Sequence, residues 1–382
     1  MAGSRMKVAV VGVGTIGAMA LLHLARSGVE AIGYDAFTPG HDRGAAGGES
    51  RIFRVAYEEQ ADYVPLLLES LDRWRSLQAA AGQQLFYPVG CATVGPSDHP
   101  ALQSVRDAAA AHGLTLEELD APAARIRVPE HPLRPGESLL FDPLGGLIRP
   151  EASVVAAVGL AQAAGAQVRA NTAVLDVQED GDRAVVVTEH GQDTFDRVIV
   201  CPGPWANRLK LFAGFQLAPK QFVATWFPRR DPRAFDLNGT PVAIRVGTPT
   251  FSCFPCVDGV SVKVIARGPA FTDLDDPDDL PRTVGRDIVE HAAAGVRAVL
   301  PGLQDTPIRV GTYSDLYSPD EHALLGPLRP DSPVTVAAAF SGHGFKLAPV
   351  FGEIAAELAV DGHTKHDISF LSPDRFQATQ QS

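Results

Sequence analysis

The sequence predicts an α/β protein of two interleaved parts, and three observations predict it. Near its start, a short apolar strand runs straight into "GVGTIG" and then a helical pattern. The same order of strand, glycine turn and helix returns near the end, in "VTVAAAFSGHGFKLAPVF". Between them, residues 218 to 318 are richer in Pro, Phe and β-branched residues, with one clear helix from about Val284 to Val299. Such a section reads as a mostly β portion inserted into a nucleotide-binding fold.

At 382 residues, 45% hydrophobic and 20% charged, the chain is long enough for two domains and an internal ligand. A net charge of −12 argues against a nucleic-acid partner, which needs clustered Lys and Arg to displace phosphate counterions. Cys91, Cys201, Cys253 and Cys256 are too few for a disulfide framework and suit a reducing compartment, so a cytoplasmic enzyme is expected. "MKVAVVGVGTIGAMALLHLAR" has the basic start and apolar centre of a signal peptide. Its regularly spaced glycines, and the lack of a small-residue cleavage site, argue against one. Met1 to Arg5 reads as an extension, since Met6-Lys7 is an equally good start. No later apolar run approaches the roughly 18 residues that a membrane span requires, so no membrane partner is expected.

Val8 to Val11 reads as a buried strand, Ala18 to Arg26 as a helix stopped by Gly28, and Val29 to Tyr34 as the next strand. Asp35 ends that strand, about 20 residues beyond the loop, as dinucleotide binding demands. Gly12 permits the tight turn, Gly14 lets the backbone approach a pyrophosphate, and Gly17 lets helix and strand pack closely. The helix N-terminus offers free N–H groups to the phosphates. The motif alone does not choose between NAD and FAD, and the bland alternative is an ordinary βαβ unit.

The loop "FTPGHDRGAAGGESR" is long for a compact domain and is read as functional. Leu66 to Ala80 forms a helix with Leu67, Leu71, Trp74 and Leu77 on one face. Strands follow in 85 to 95, helices in 100 to 112 and Glu151 to Ala164, and a buried strand in Val198 to Cys201. The last helix carries Leu347, Val350, Phe351, Ile354 and Leu358 on one face and closes at Asp361-Gly362.

"GVGTIG", "GGESRIFRVAYEE", "VIVCPGPWANRL", "SPDEH" and "FSGHGFK" together resemble the monomeric sarcosine oxidase and N-methyltryptophan oxidase family, in order and over nearly the whole chain. These are FAD-dependent amine oxidases of the D-amino-acid-oxidase-like group. The resemblance implies a Rossmann-like FAD-binding domain with an interleaved α+β substrate domain built on a mostly antiparallel sheet. Residues 6–87, 147–217 and 320–382 would form the first, and 88–146 and 218–319 the second. It implies oxidation of a secondary amine, or of an N-methyl or cyclic amino acid, to an imine, with O2 reduced to hydrogen peroxide. A monomer acting on a small carboxylate-bearing amine is expected, with no metal.

Carried over by the same resemblance, Arg54 and Lys346 would hold the substrate carboxylate, with Glu59 orienting Arg54. Arg51 would lie beside the flavin ring, and Lys263 would supply positive charge for O2 activation. Around the dinucleotide the implied contacts are Gly12, Gly14, Thr15, Ile16, Gly17, Asp35 and Arg43, then Ser50, Arg51 and Val174. Gly203, Trp205, Gly342, His343, Gly344, Phe345 and Lys346 complete that set. The chemistry fits without the resemblance: Arg presents a planar fork to a carboxylate and Lys adds a second point charge. The bland alternative pairs Arg51 and Arg54 with Glu49 or Glu58 on the surface and leaves Lys346 solvated.

Three departures stand out. "RVGTYSDLYSPDEH" contains no cysteine where the family's covalent members attach FAD, so noncovalent FAD is expected. Arg267 stands four residues after Lys263, where sarcosine oxidases carry a histidine. It cannot act as a base near neutrality but could bind a second anionic group, or face solvent. Ala45, Ala46 and Gly47 replace bulkier polar residues before Arg51. Tyr313 is placed with the substrate, although whether Tyr313 or Asp315 faces it stays open. His343, between two glycines, is read as packing against the flavin rather than as a base. Cys253-Phe-Pro-Cys256 is read as two buried strand-end cysteines rather than a dithiol or half a zinc site. The other functional class is a flavoprotein dehydrogenase or tailoring desaturase acting on an amino-acid-derived substrate.

Overall fold

In the computed structural model, which describes residues 5–377 (Gln377 by its backbone only), the first strand, Lys7–Val11, is buried from Val8 onward. Of the expected extension Met1 to Arg5, all but Arg5 lies outside the described residues. That strand lies inside a six-stranded sheet ordered Leu324–Pro327, Val334–Ala338, Arg197–Val200, Lys7–Val11, Glu30–Tyr34 and Gln167–Arg169. All its pairs are parallel except the first, where Leu324–Pro327 runs against Val334–Ala338. Strands buried on both faces read as continuous apolar runs, which is why "VAVV" and "VTVAA" carry no alternation.

Two parallel strands of this sheet feed a helix each through a glycine-bearing turn. Lys7–Val11 leads to the helix Thr15–Arg26, and Val334–Ala338 leads through the 3₁₀ turn Phe345–Leu347 to the helix Ala348–Asp361. Gly362, at φ 75, ends the last helix in the left-handed region, as its position after Asp361 predicts. The first helix starts three residues earlier than the expected Ala18, because Gly17 already sits inside its first turn. A Cβ there would fall 1.9 Å from the Gly12 carbonyl oxygen. The two helices touch backbone to backbone: a Cβ on Gly352 would lie 2.5 Å from the Met19 Cβ and 2.6 Å from the Ala20 nitrogen.

A nine-stranded sheet draws its strands from two separated stretches, Cys91–Pro96 to Glu137–Asp142 and Ala218–Pro228 to Arg309–Tyr317. It is antiparallel apart from the pairing of Val242–Arg245 with Cys91–Pro96. The helix expected at Val284 begins at Arg286 and packs Ala292, Ala293, Val296 and Val299 onto this sheet. A small antiparallel sheet of Arg51–Phe53, Gly146–Ile148 and Phe86–Tyr87 brackets the first of these stretches in the chain. No helix among the described residues is long and apolar enough to cross a membrane.

Candidate active site

A long cleft follows the C-terminal ends of the parallel strands, where an open α/β sheet presents its helix N-termini. It is lined at one end by Gly12, Gly14, Asp35 and Trp205, and at the other by Arg51, Asp315, Gly342 and Phe345. Gly12 has φ +86, and its missing side chain makes room for the Cys201 carbonyl oxygen, 2.1 Å from where a Cβ would stand. At Gly14 the opposite holds: nothing lies within 4 Å of that position, so the backbone there is open to the cleft. The helix that begins after Gly14 has no side-chain cap and no acid in its first turn. Its unpaired N–H groups and the positive end of its dipole therefore remain available to an anion.

Asp35 is fixed by two backbone donors, Val13 at 2.9 Å and Phe37 at 2.8 Å. Burial pushes its carboxyl above the usual range against the pull of those N–H groups and of His41, 3.7 Å away. Phe37, His41 and Trp205 form an aromatic trio on this rim. Thr15, Ile16, Val174 and Gly203 also line the cleft as expected. Arg43 does not; it is exposed, with its guanidinium 4.7 Å from the Phe37 ring centre.

At the other end the chain bends sharply around Glu49, a non-glycine residue at φ 56. This left-handed turn aims the carbonyls of Gly48 and Ser50 at one atom, the Lys263 Nζ, which donates to both. Trp226 and Arg309 hold the Glu49 carboxylate, while Glu151 accepts its main-chain N–H at 2.9 Å. Lys263 is 3% exposed, and its ammonium lies 4.0 Å from the centre of the Phe254 ring. Burial first, and then Arg51, depress its pKa well below that of a free lysine. Arg51 itself donates to the carbonyls of Ala45, Gly47 and Ser50, so the small residues of that loop let its backbone wrap the guanidinium. The Ser50 hydroxyl, fully buried, has no hydrogen-bond partner among the described residues.

The third group is a charge cluster, buried at Arg54 and Lys346 and open toward solvent at Glu58 and Glu59. Arg54, 4% exposed, is gripped by Glu59 at 2.8 Å and lies 3.2 Å from Glu58. Nη1 is the atom that faces Glu58, and the Nε donor finds no hydrogen-bond acceptor among the described residues. Lys346 donates to the Tyr57 hydroxyl at 3.2 Å and the His343 carbonyl at 3.0 Å. Burial lowers its pKa to about 8 despite Glu59 nearby. For Glu59 burial works upward, but Arg54 and Lys346 outweigh it and hold the carboxyl below its usual range. The Lys346 carbonyl accepts from Ser70 at 2.6 Å and Trp74 at 2.9 Å, which pins this junction to the helix Val64–Ala81. The bland alternative thus names a real partner of Arg54, Glu58, but the guanidinium is buried rather than on the surface.

Besides Arg43, the expected placements of His343 and Tyr313 are corrected and the open one of Arg267 is decided. The His343 ring turns away from the cleft and packs on Tyr57 and Tyr63, with Nε2 against the Glu321 carbonyl at 2.8 Å. Tyr313 stacks on Phe222, and its ring covers Gly47 and Gly48, whose lack of side chains leaves it that space. It is Asp315, two residues along the same strand face, that lines the cleft. Arg267 is exposed, its guanidinium 4.6 Å from the Phe271 ring centre and beside Tyr317 at the rim. Cys253 and Cys256 are free and buried, and burial pushes both thiols up, so neither is poised to react.

A cleft with an open glycine turn, an uncapped helix N-terminus and a buried cationic end fits a dinucleotide whose far end carries reactive chemistry. Residues 7–358 match the family described as DAO, FAD dependent oxidoreductase. The chain belongs to the DAO family of FAD-dependent oxidoreductases. This DAO-family chain is 33% identical to the monomeric sarcosine oxidase of Streptomyces avermitilis, over 97% of its own length and 98% of that protein. It is 29% identical to the N-methyl-L-tryptophan oxidase of Yersinia pestis, with 96% and 98% covered. Among solved structures, NikD, an unusual amino acid oxidase essential for nikkomycin biosynthesis, superposes with a TM-score of 0.84 at 26% identity, covering 97% of each chain.

Proposed function

We propose that this enzyme is an FAD-dependent oxidase of a secondary amine or of an N-methyl or cyclic amino acid, yielding an imine. The observation that carries the reading is that the Arg54 and Lys346 side chains are both buried beside the cleft, next to its lining residue Phe345, with the Arg54 Nε still without an acceptor. Such donors in a desolvated site suit a carboxylate. When bound, FAD supplies the two-electron acceptor and the route to O2. Gly12, Gly14 and the following helix would hold its phosphates, and Arg51 and the 340–345 turn its ring.

Arg54 and Lys346 then orient the substrate by its carboxylate, Glu59 and Glu58 keep Arg54 in place, and Lys263 brings positive charge to the O2 reaction. The stretches 88–146 and 218–319 form the roof over the substrate. Arg267, together with Lys220 whose ammonium lies 4.9 Å from the Tyr317 ring centre, places positive charge at the rim for an anionic tail on the substrate. Four buried free cysteines support a reducing, cytoplasmic setting, with the chain acting as a monomer.

The deciding experiment mixes the holoenzyme anaerobically with sarcosine, N-methyl-L-tryptophan, L-proline and glycine, follows flavin bleaching, and then admits air. Bleaching by at least one and fast recovery in air are expected. If none bleaches the flavin, the amino-acid reading fails. Slow recovery in air would instead favour the dehydrogenase or desaturase, the reading to which the missing attachment cysteine and Arg267 point. FAD is expected to be noncovalent, because Tyr313, Ser314 and Asp315 offer no thiol along this strand. Acid precipitation should leave all of the yellow colour in the supernatant. A yellow pellet refutes this.

A further inference from the structure

We propose that Asp315 is the group that receives the substrate's ammonium and takes its proton, so that the amine becomes competent to lose hydride. This rests on the amine-oxidase reading above. Among the described residues two carboxylates line the cleft, Asp35 and Asp315. Asp35 stands at the nucleotide end and is committed to Val13 and Phe37. Asp315 stands at the reactive end, close enough to Arg51 and Lys346 for both to act on its acidity.

An amino acid brings two charges into this site. Its carboxylate goes to Arg54 and Lys346, which leaves a buried cation that costs several kcal/mol unless a carboxylate faces it. Asp315 is the acid placed to do so. Its oxygens accept the Leu316 N–H at 2.8 Å and the Gly342 N–H at 3.0 Å, each leaving lone-pair capacity for a further donor. Those two N–H bonds also set its position against the 340–345 turn.

The charged groups around it are Arg51 from the strand Arg51–Phe53 and Lys346 from the turn Phe345–Leu347, and Tyr313 and Tyr317 flank it on its own strand as neutral phenols whose acidity burial weakens. Lys220 is its cross-strand partner in register, and Arg267 reaches Tyr317 beside it. Burial raises its carboxyl to about 6 against the pull of Arg51, Lys346 and the two N–H donors. It is thus ionised at neutral pH, yet basic enough to accept a proton. The step balances: the nitrogen's proton moves to a carboxylate oxygen of Asp315, the freed lone pair stays on nitrogen, and the carbon next to it gives up hydride to the cofactor.

Asp315→Asn tests this, since the amide keeps the size of the side chain and one of the two acceptors now used by Leu316 and Gly342 but cannot take the proton. For whichever of the four amines bleaches the wild-type flavin fastest, the wild-type rate should rise through about pH 6 and then level. In Asp315→Asn it should fall by about 10²-fold at pH 7 and keep climbing toward the wild-type value as the amine itself deprotonates. Dissociation constants from flavin difference spectra give a second readout: the variant should weaken the amine at pH 7 and leave propionate unchanged. An Asn variant with the wild-type pH profile and amine affinity overturns the proposal. So does a variant whose loss is the same at every pH, the sign of a purely structural role. If no amine bleaches the wild-type flavin, the amine-oxidase reading falls and this assignment with it. Wild-type bleaching with an unaffected variant sinks this assignment alone.

Discussion

Lys263→Met should slow reoxidation of the reduced flavin by about 10²–10³-fold, the usual loss when a preorganised charge is removed from a desolvated site. Its amine-driven reduction should change little. Methionine keeps an apolar stem of similar length and deletes only the ammonium, which lies over Phe254 and which Gly48 and Ser50 hold in place. Stopped-flow mixing of reduced enzyme with oxygenated buffer measures the effect. Because burial and Arg51 depress the lysine's pKa, its charge is present at low pH and is lost as pH rises through that depressed value. The wild-type O2 rate should therefore decline with rising pH earlier than an ordinary lysine would dictate, and the decline should vanish in the variant. An unchanged O2 rate in Lys263→Met would remove the residue from this role.

Lys346→Met should weaken substrate binding by about 2–5 kcal/mol, a Kd at least roughly 30-fold higher, because it removes one partner of a buried charge interaction. The flavin spectrum should persist. What fixes the backbone here is the Lys346 carbonyl, bonded to Ser70 and Trp74, and the Phe345 ring, stacked on Trp74 with centroids 5.6 Å apart. Neither depends on the ammonium. Titration of the variant with the best amine of the panel, followed by flavin absorbance, gives the constant directly. Wild-type affinity in the variant would mean that the substrate carboxylate sits elsewhere.

The parts legible in the sequence were those whose partners lie nearby in the chain. The strand, glycine loop, helix and Asp35 form one local unit, so their spacing alone carried the dinucleotide site, down to the open position at Gly14. The pairing of Arg54 with Lys346 came only through the resemblance, because no local pattern joins residues brought together by two separate strand-to-helix turns. Tyr313 and Asp315 share one strand face, so alternation could not choose between them. The choice was made by Gly47 and Gly48, far away in sequence, which receive the Tyr313 ring. His343 was misplaced for the same reason: its neighbours Tyr57 and Tyr63 belong to another segment. The strained turn at Glu49 left no trace in composition, since glutamate is an uncommon occupant of that conformation.

The contact of Gly352 with Met19 and Ala20 bears on the shape of the cleft. It locks two parallel helices together, and each directs its N-terminus at one end of the same cleft. They act as the two jaws of a caliper, set to a fixed opening by the missing side chain. The separation of the two helix N-termini along the cleft is thereby set by helix packing, at a point that is itself remote from the cleft lining.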